Sequence, residues 1–492
     1  MANIRRDIAK LGGPWSSTMQ WYARAVRELR SRPFNDRTSW VYIAALHGVD
    51  QQGWTSQNLL SQNLVMPPQD PLVDRFGQCQ HAGWFFLPWH RGYLHALEAI
   101  LADVIVTLGG PADWALPYWN YLDAANPNAR KIPQEFLDPT MPDGSANALA
   151  DALRGPATTL GPQPWVPTDI SLTAQSAESV YTAIPGTLGY GGPISGFAQF
   201  GNAYGANEAD PHNLVHVMIG GDTSPAPQGW MFDPNFAALD PIFWVHHCNV
   251  DRLWSAWLSD TTHVQETGAP WRNGPFPMQF TMPDTAGALW IFVPEDTLPG
   301  APLDPTYDDL TDGTGIVPTP LPLGVAVNSN ASPSPPPGGS SALIGASPTG
   351  LTVGSAPASA KIQLAGTGIL AAAEPDADKA GRERYYLNLE GVKGGSPSVV
   401  LSISLSAPNA QLQMDAAQTI KTVALFGLSN ATKVDGPHGG GGISATVEIT
   451  DIVHQLHPVN PSEIAVQISL PEGAAGDEVR VDRVSIYVRQ NG

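Results

Sequence analysis

His81-Ala-Gly-Trp-Phe-Phe-Leu-Pro-Trp-His-Arg-Gly-Tyr-Leu-His-Ala-Leu-Glu98 is the stretch from which the fold is read. Pro88 can open a helix, because a first-turn residue has no intrahelical N–H bond to lose. An apolar face then runs from Trp89 to Leu108 and meets a stop signal at Gly109-Gly110. His81 falls ahead of this helix and His90 just inside it, so one loop-and-helix unit carries two imidazoles among Trp and Phe.

Other segments on both sides of this stretch offer partners for that pair. Residues 7–30 and 40–46 have helical spacing, and His47 closes the second of them. A helix expected from about Asp210-Pro211 to Ile219 carries His212 and His216, whose separation by four puts both on one face. A last one, over residues 239–258, holds Leu239-Asp-Pro-Ile-Phe-Trp-Val-His-His-Cys-Asn-Val-Asp-Arg-Leu-Trp254. His47, His81 and His90, facing His212, His216 and His247, make two nitrogen-only sites, and such sites suit copper better than magnesium or calcium. His95 lies off the His90 face, and His246 points elsewhere than His247; both are assigned to hydrogen bonding around the ligands.

These helices can pack as a bundle and build a site from facing side chains. Residues 121–205, rich in Pro, Gly, Ser and Thr, are expected as long loops over it. A composition shift at 318–348, centred on Ser-Pro-Ser-Pro-Pro-Pro-Gly-Gly, marks a linker or exposed strap. Beyond it short β-branched, alternating runs at 361–364, 385–389, 399–405, 443–449, 464–470 and 481–488 predict a small β-sandwich or barrel-like domain. The expected organisation is a mainly α catalytic domain over 1–317, the linker, and a β domain over 349–492.

Composition narrows the function. Lys and Arg number 25 against 45 Asp and Glu, and the formal net charge of -20 argues against nucleic acid. The 41 Trp, Tyr and Phe (15, 12 and 14) supply a large core, while 49 Gly and 47 Pro imply much irregular backbone. Cys79 and Cys248 are the only cysteines, which favours a cytoplasmic protein independent of disulfides. Neither a signal peptide nor a membrane span is expected from the sequence.

The two histidine segments resemble the copper-binding signatures of the tyrosinase, polyphenol oxidase and catechol oxidase family, shared with molluscan hemocyanin. His81, Phe86, His90, Arg91, Leu94 and Glu98 meet the first; Asp240, Phe243, His247 and Asp251 meet the second. The resemblance implies two copper ions, copper A on His47, His81 and His90 and copper B on His212, His216 and His247. It implies oxidation of o-diphenols to o-quinones by dioxygen, with some monophenol hydroxylation. Cys79, two before His81, has the spacing of a family thioether to that histidine. Glu208 and Asn213 resemble a pair that orients a water able to take the phenol proton. Val217 and Phe243 are expected as pocket walls, and Arg91, Glu98, Asp251 and Arg252 as structural braces. The β domain resembles in layout a shield that covers the copper site in latent polyphenol oxidases. An o-aminophenol oxidase and a reversible dioxygen carrier are the competing readings; a dinuclear hydrolase is opposed by the absence of carboxylates among the candidate ligands. Substrate identity and oligomeric state are left open.

Overall fold

The computed structural model describes residues 3–67, 76–150, 154, 178–221, 229–311, 340–365, 383–406, 421–434, 439–456, 463–471 and 478–490. Five helices frame the first domain. Helix α1 (Ser17–Ser31) is capped by Ser16, whose hydroxyl accepts the Met19 N–H, and buries Met19, Tyr22, Val26 and Leu29 at helical spacing. It starts later than expected, because the run from residue 7 makes only a short 3-10 turn (Ile8–Lys10) before Gly12, Gly13 and Pro14 interrupt it. Helix α2 (Trp40–His47) is capped by Ser39 and ends at Gly48.

Helix α3 (Phe86–Thr107) is buried almost all round over its first nine residues, as the central element of the bundle must be. A wide turn over Glu208–Asn213, where Pro211 prevents regular helix, leads into α4 (Leu214–Gly220). Helix α5 (Pro241–Ser259) has the Asp-Pro start that favours a helix N-terminus: the Asp240 carboxylate accepts the Ile242 N–H and Pro241 takes the first position. Helix α3 packs on both α1 and α5.

Charged side chains brace the bundle. Arg91 Nε donates to Asp251 Oδ1 at 2.6 Å, and Arg5 pairs with both Glu98 (2.7 Å) and Asp251 (3.1 Å). Arg252 instead donates to Asn249 Oδ1 and to the Thr311 carbonyl. In the described parts of 121–205 the chain runs as turns, bends and short bridges, as expected. A hairpin, β1 (Phe280–Pro283) with β2 (Leu289–Phe292), follows the bundle.

Residues 318–339 of the expected linker lie outside the described residues, whereas Ser340–Ala346, inside the expected 318–348 span, is already a strand. The second domain contains β3 (Ser340–Ala346), β4 (Leu351–Val353), β5 (Ala358–Leu364), β6 (Arg384–Gly394), β7 (Ser398–Ser406), β8 (Lys421–Phe426), β9 (Ile443–Glu448), β10 (Glu463–Ser469), β11 (Val479–Val481) and β12 (Arg483–Gln490). Antiparallel pairing orders them β8-β7-β10-β5-β3-β12-β6-β11-β4, with β9 also on β6. Alternating Val, Ile and Leu on one face, such as Ile464, Val466 and Ile468, form a single β-domain core. The two domains interlock: Ala82, Phe200 and Tyr204 of the first belong to the β-domain core, and Val400, Ala424 and Phe426 of the β domain belong to the core of the bundle.

Candidate metal centre and active site

Six histidines converge between α2, α3, α4 and α5, none more than 3 % exposed. His47 ends α2, His81 lies in the turn before α3 and His90 in its first turns; their ring centroids are 5.1 to 5.7 Å apart. His212 in the wide turn, His216 in α4 and His247 in α5 form the second triad, with centroids 4.5 to 5.3 Å apart. The triads face each other, and His90 stacks on His247 at 4.7 Å with the planes 14° apart.

Backbone carbonyls and one amide set the rings. Nδ1 of His47 contacts the Pro234 carbonyl at 2.9 Å, that of His90 the Phe86 carbonyl at 2.7 Å, and that of His216 the Met231 carbonyl at 3.0 Å. His81 Nδ1 reaches the Gln199 carbonyl at 3.3 Å, and His212 Nδ1 the Asn213 Oδ1 at 2.9 Å. Each acceptor requires the proton on Nδ1 and so leaves Nε2 as a lone pair. Nε2 of His47, His81, His90 and His212 is buried without a hydrogen-bond partner, while Nε2 of His216 lies 3.1 Å from Nε2 of His247. Burial holds every one of these imidazoles below the ordinary histidine range, His47 at about 4, and neighbouring histidines add to the effect in the other five. Orphaned nitrogen lone pairs on neutral rings are what a cation must find, and the donor set fits copper. Among the described residues no carboxylate joins either group of candidate donors.

His246 stands closer to this centre than sequence spacing suggests. One of its ring nitrogens lies within 4.8 Å of those of His212, His216 and His247. Its Nδ1 is 3.2 Å from the Tyr121 hydroxyl, and burial lowers its pKa to about 3. His95 is elsewhere, packed on Trp290 of the hairpin. Cys79 is a buried free thiol grouped with His47 and His81 inside the same 4.8 Å limit.

Glu208 is fully buried, and its carboxylate accepts the N–H of Ala82, next to His81, at 2.7 and 2.9 Å. Burial raises its pKa well above the usual carboxylate range. Asn213, besides orienting His212, donates to the Ala424 carbonyl of β8 at 3.4 Å. Phe243 lies under the ligands, 4.1 Å from the His247 ring and 5.0 Å from that of His47. Val217 is buried beside His216 in α4, the helix against which β8 packs.

Five participants escaped sequence reading. Phe426, the last residue of β8, places its ring 4.3 Å from His216, 29° from parallel, and 5.6 Å from both His81 and His212. Tyr204 donates its hydroxyl to the Phe426 carbonyl at 2.6 Å. Phe200 stacks on His81 at 5.0 Å. Gly427 follows at φ +84°, and a Cβ there would run into the Phe200 ring, so only glycine lets the strand end this close to the centre. Arg5 is the fifth, for its part in the braces. The histidines announce themselves by spacing, but no local pattern marks a Phe at the end of a strand from another domain.

Comparison with known proteins agrees with this geometry. Residues 37–260 match the model of the common central domain of tyrosinase, and residues 340–489 match a domain of unknown function, DUF7868. Tyrosinase HcTyr1 of Hahella sp. (strain CCB-MM4) is 30% identical over 491 residues, 96% of each chain. The chain belongs to the tyrosinase family. A chloroplastic polyphenol oxidase of Vitis vinifera is 29% identical over 52% of this tyrosinase-family chain and 40% of its own. Latent apple tyrosinase superposes with a TM-score of 0.62 at 19% identity, covering 99% of this chain and 97% of that one, and recombinant latent aurone synthase with 0.65 at 18%, covering 100% and 90%. These two likenesses are of fold, through both domains. The family and the paired histidine clusters make the protein a copper-dependent polyphenol oxidase that oxidises o-diphenols with dioxygen. Among the described residues, no helix is long and apolar enough to cross a membrane.

Proposed function

We propose that this oxidase hydroxylates monophenols as well as oxidising o-diphenols, and that its β domain keeps it latent by placing Phe426 where the substrate ring belongs. The observation that carries the proposal is the Phe426 ring lying against His216, an apolar aromatic seated on a candidate copper B ligand. A phenol of similar shape would fit the same face once β8 withdraws, bounded by Phe243 below and Val217 to the side.

His47, His81 and His90 would hold copper A, and His212, His216 and His247 copper B. When bound, the pair supplies dioxygen activation and accepts the two electrons of a diphenol. The chain's own residues set the rest. Nδ1 acceptors fix five of the six imidazoles, all but that of His247, so most of the centre needs little reorganisation. A monophenol must first give up a proton that, with a pKa near about 10, it mostly keeps at neutral pH. Glu208 and Asn213 orient a water to take it beside His212. Both also hold ligand-bearing segments, through the Ala82 N–H and through His212 Nδ1. A thioether from Cys79 to a His81 ring carbon, formed with loss of two hydrogens to dioxygen, would lock the His81 ring. We place the protein in the cytoplasm on its two free, buried cysteines, and its net charge of -20 leaves nucleic acid out as a partner.

Oxygen uptake by the copper-loaded chain, with a monophenol and its matching o-diphenol, before and after limited proteolysis between the domains, tests the reading. Uptake with both substrates and a large rise on cleavage is the expected result. Diphenol uptake alone removes the hydroxylase part, and equal rates before and after cleavage remove the latency. No uptake of either, with both coppers bound, would turn attention to an o-aminophenol substrate or to reversible dioxygen carriage.

A further inference from the structure

We infer that Glu178 is the anchor that seats the β domain over the copper centre, an inference that rests on the shielding role proposed above. Glu178 belongs to the catalytic domain and is 0 % exposed. Among the described residues every polar partner of its carboxylate comes from the β domain: Arg384 Nη1 to Oε1 at 2.8 Å, Arg489 Nη1 to Oε2 at 3.1 Å, and the Tyr386 hydroxyl donating to Oε1 at 2.9 Å. Among the described residues two ion pairs cross between the domains, and both end on one carboxylate.

Strand register explains why that carboxylate matters. In the β6–β12 ladder Arg384 stands directly opposite Arg489. Like charges facing each other across a strand pair are unfavourable. Glu448 of β9 lies on Arg384, bonded to its Nε at 3.1 Å, and supplies one negative charge from inside the β domain. The second comes from Glu178, between the two guanidinia. Docking at this place on the catalytic domain therefore brings one carboxylate to both guanidinia.

The surroundings fix the docking geometry. Gly186, at φ +74°, lies under Tyr487 of β12 so closely that a Cβ would meet the ring. Asn388 Nδ2 donates to the Gly186 carbonyl at 3.0 Å, and Ser341 Oγ to that of Pro185 at 2.7 Å. On its other side Glu178 is tied to the helix of copper B, because its carbonyl accepts the Trp257 indole N–H of α5 at 2.8 Å. The anchor thus sits at the β6–β12 face, while Phe426 enters the centre from β8 at the end of the strand order. A buried ion pair that loses one partner leaves charge without its counterion, so docking is the property most exposed to a change at Glu178.

The test uses the full chain loaded with copper, metal content confirmed in every sample. Glu178→Gln keeps shape and removes charge. It is expected to oxidise catechol at least about tenfold faster than the intact wild type, a change equivalent to about 1.4 kcal/mol, and to show a larger radius of gyration in solution scattering. A role confined to stability would lower activity, not raise it. Glu178→Gln as slow as the intact wild type, while the cleaved wild type is fast, overturns the anchor and leaves the shield standing. A cleaved wild type no faster than the intact chain fails the shield itself. Should Glu178→Gln not fold, Arg489→Gln is read by the same rates from the β-domain side.

Discussion

Phe426 and His216 lie with ring centroids 4.3 Å apart and planes 29° from parallel, although the chain between them crosses from one domain to the other. The same Phe426 ring lies 5.6 Å from His81 and His212, so one side chain of the β domain touches both histidine triads. Phe426→Ala removes the ring and leaves the Tyr204 bond to the backbone carbonyl available. The intact, copper-loaded variant should oxidise catechol at least about tenfold faster than the intact wild type, since a substrate no longer has to displace a bound ring. Equal rates would mean that the ring does not obstruct the site.

The ligand set makes a simpler demand. His47 offers its Nε2 to the centre while its Nδ1 is held by Pro234, and no other histidine ends α2. His47→Ala should therefore bind one copper in place of two, as read by metal analysis after dialysis, with oxygen uptake lost. Retention of both coppers would remove His47 from the ligands.

Why some of this was legible and some not follows from how each residue is specified. His81, His90, His212, His216 and His247 stand in local patterns, a helix opened by proline, an i,i+4 pair and an Asp-Pro cap, so spacing places each on its element, while their convergence was legible from the family resemblance. His47 depends on α2 ending beside α5, which only packing decides. Strands β3, β4 and β8 went unread for different reasons: Ser340–Ala346 is hidden in small residues, Leu351–Val353 is three residues long, and Lys421–Phe426 is a short apolar run without clear alternation. Phe426 and Glu178 act across the domain boundary, and their partners lie far away in sequence. The acceptors for Nδ1 are mostly backbone carbonyls, which carry no residue signature.

The role proposed for Glu208 and Asn213 distinguishes monophenol from diphenol turnover. A diphenol gives up its protons more readily to the centre than a monophenol, whose hydroxylation depends on a placed base. Glu208→Gln should lower monophenol turnover by about 100-fold and leave diphenol turnover much less affected, with copper content unchanged. Parallel loss of both rates would assign Glu208 to holding the Ala82 turn alone.

The buried histidines make the copper-free protein acid-sensitive. Burial lowers His47 to about 4 and His246 to about 3, whereas an unfolded histidine titrates near about 6.5. Between these values the unfolded chain binds more protons, so stability is fully present above about pH 6.5 and is lost as pH falls towards 4 and then 3. Urea midpoints of the chelator-treated protein should fall steadily from pH 7 to pH 5. A flat profile would show that these rings are solvated in the copper-free state.

Asp251 is the joint on which the braces meet, because Arg91 and Arg5 both pair with it and the Tyr307 hydroxyl donates to it at 2.6 Å. It stands four residues after His247 on α5, while Arg91 is adjacent to His90 on α3. The joint thus fixes the distance between the helices that carry one candidate ligand of each copper. Asp251→Asn removes the charge but keeps the shape, leaving the Arg91 guanidinium, 1 % exposed, to the more distant Asp304 carboxylate at 3.9 Å. Breaking such a buried pair costs about 3–5 kcal/mol, which chemical denaturation of the copper-free protein would measure. Copper affinity should fall as well, since α3 and α5 lose their tie behind His90 and His247. A variant as stable as the wild type would show that Glu98 and the Thr297 carbonyl suffice to hold Arg5 and Arg91 in place.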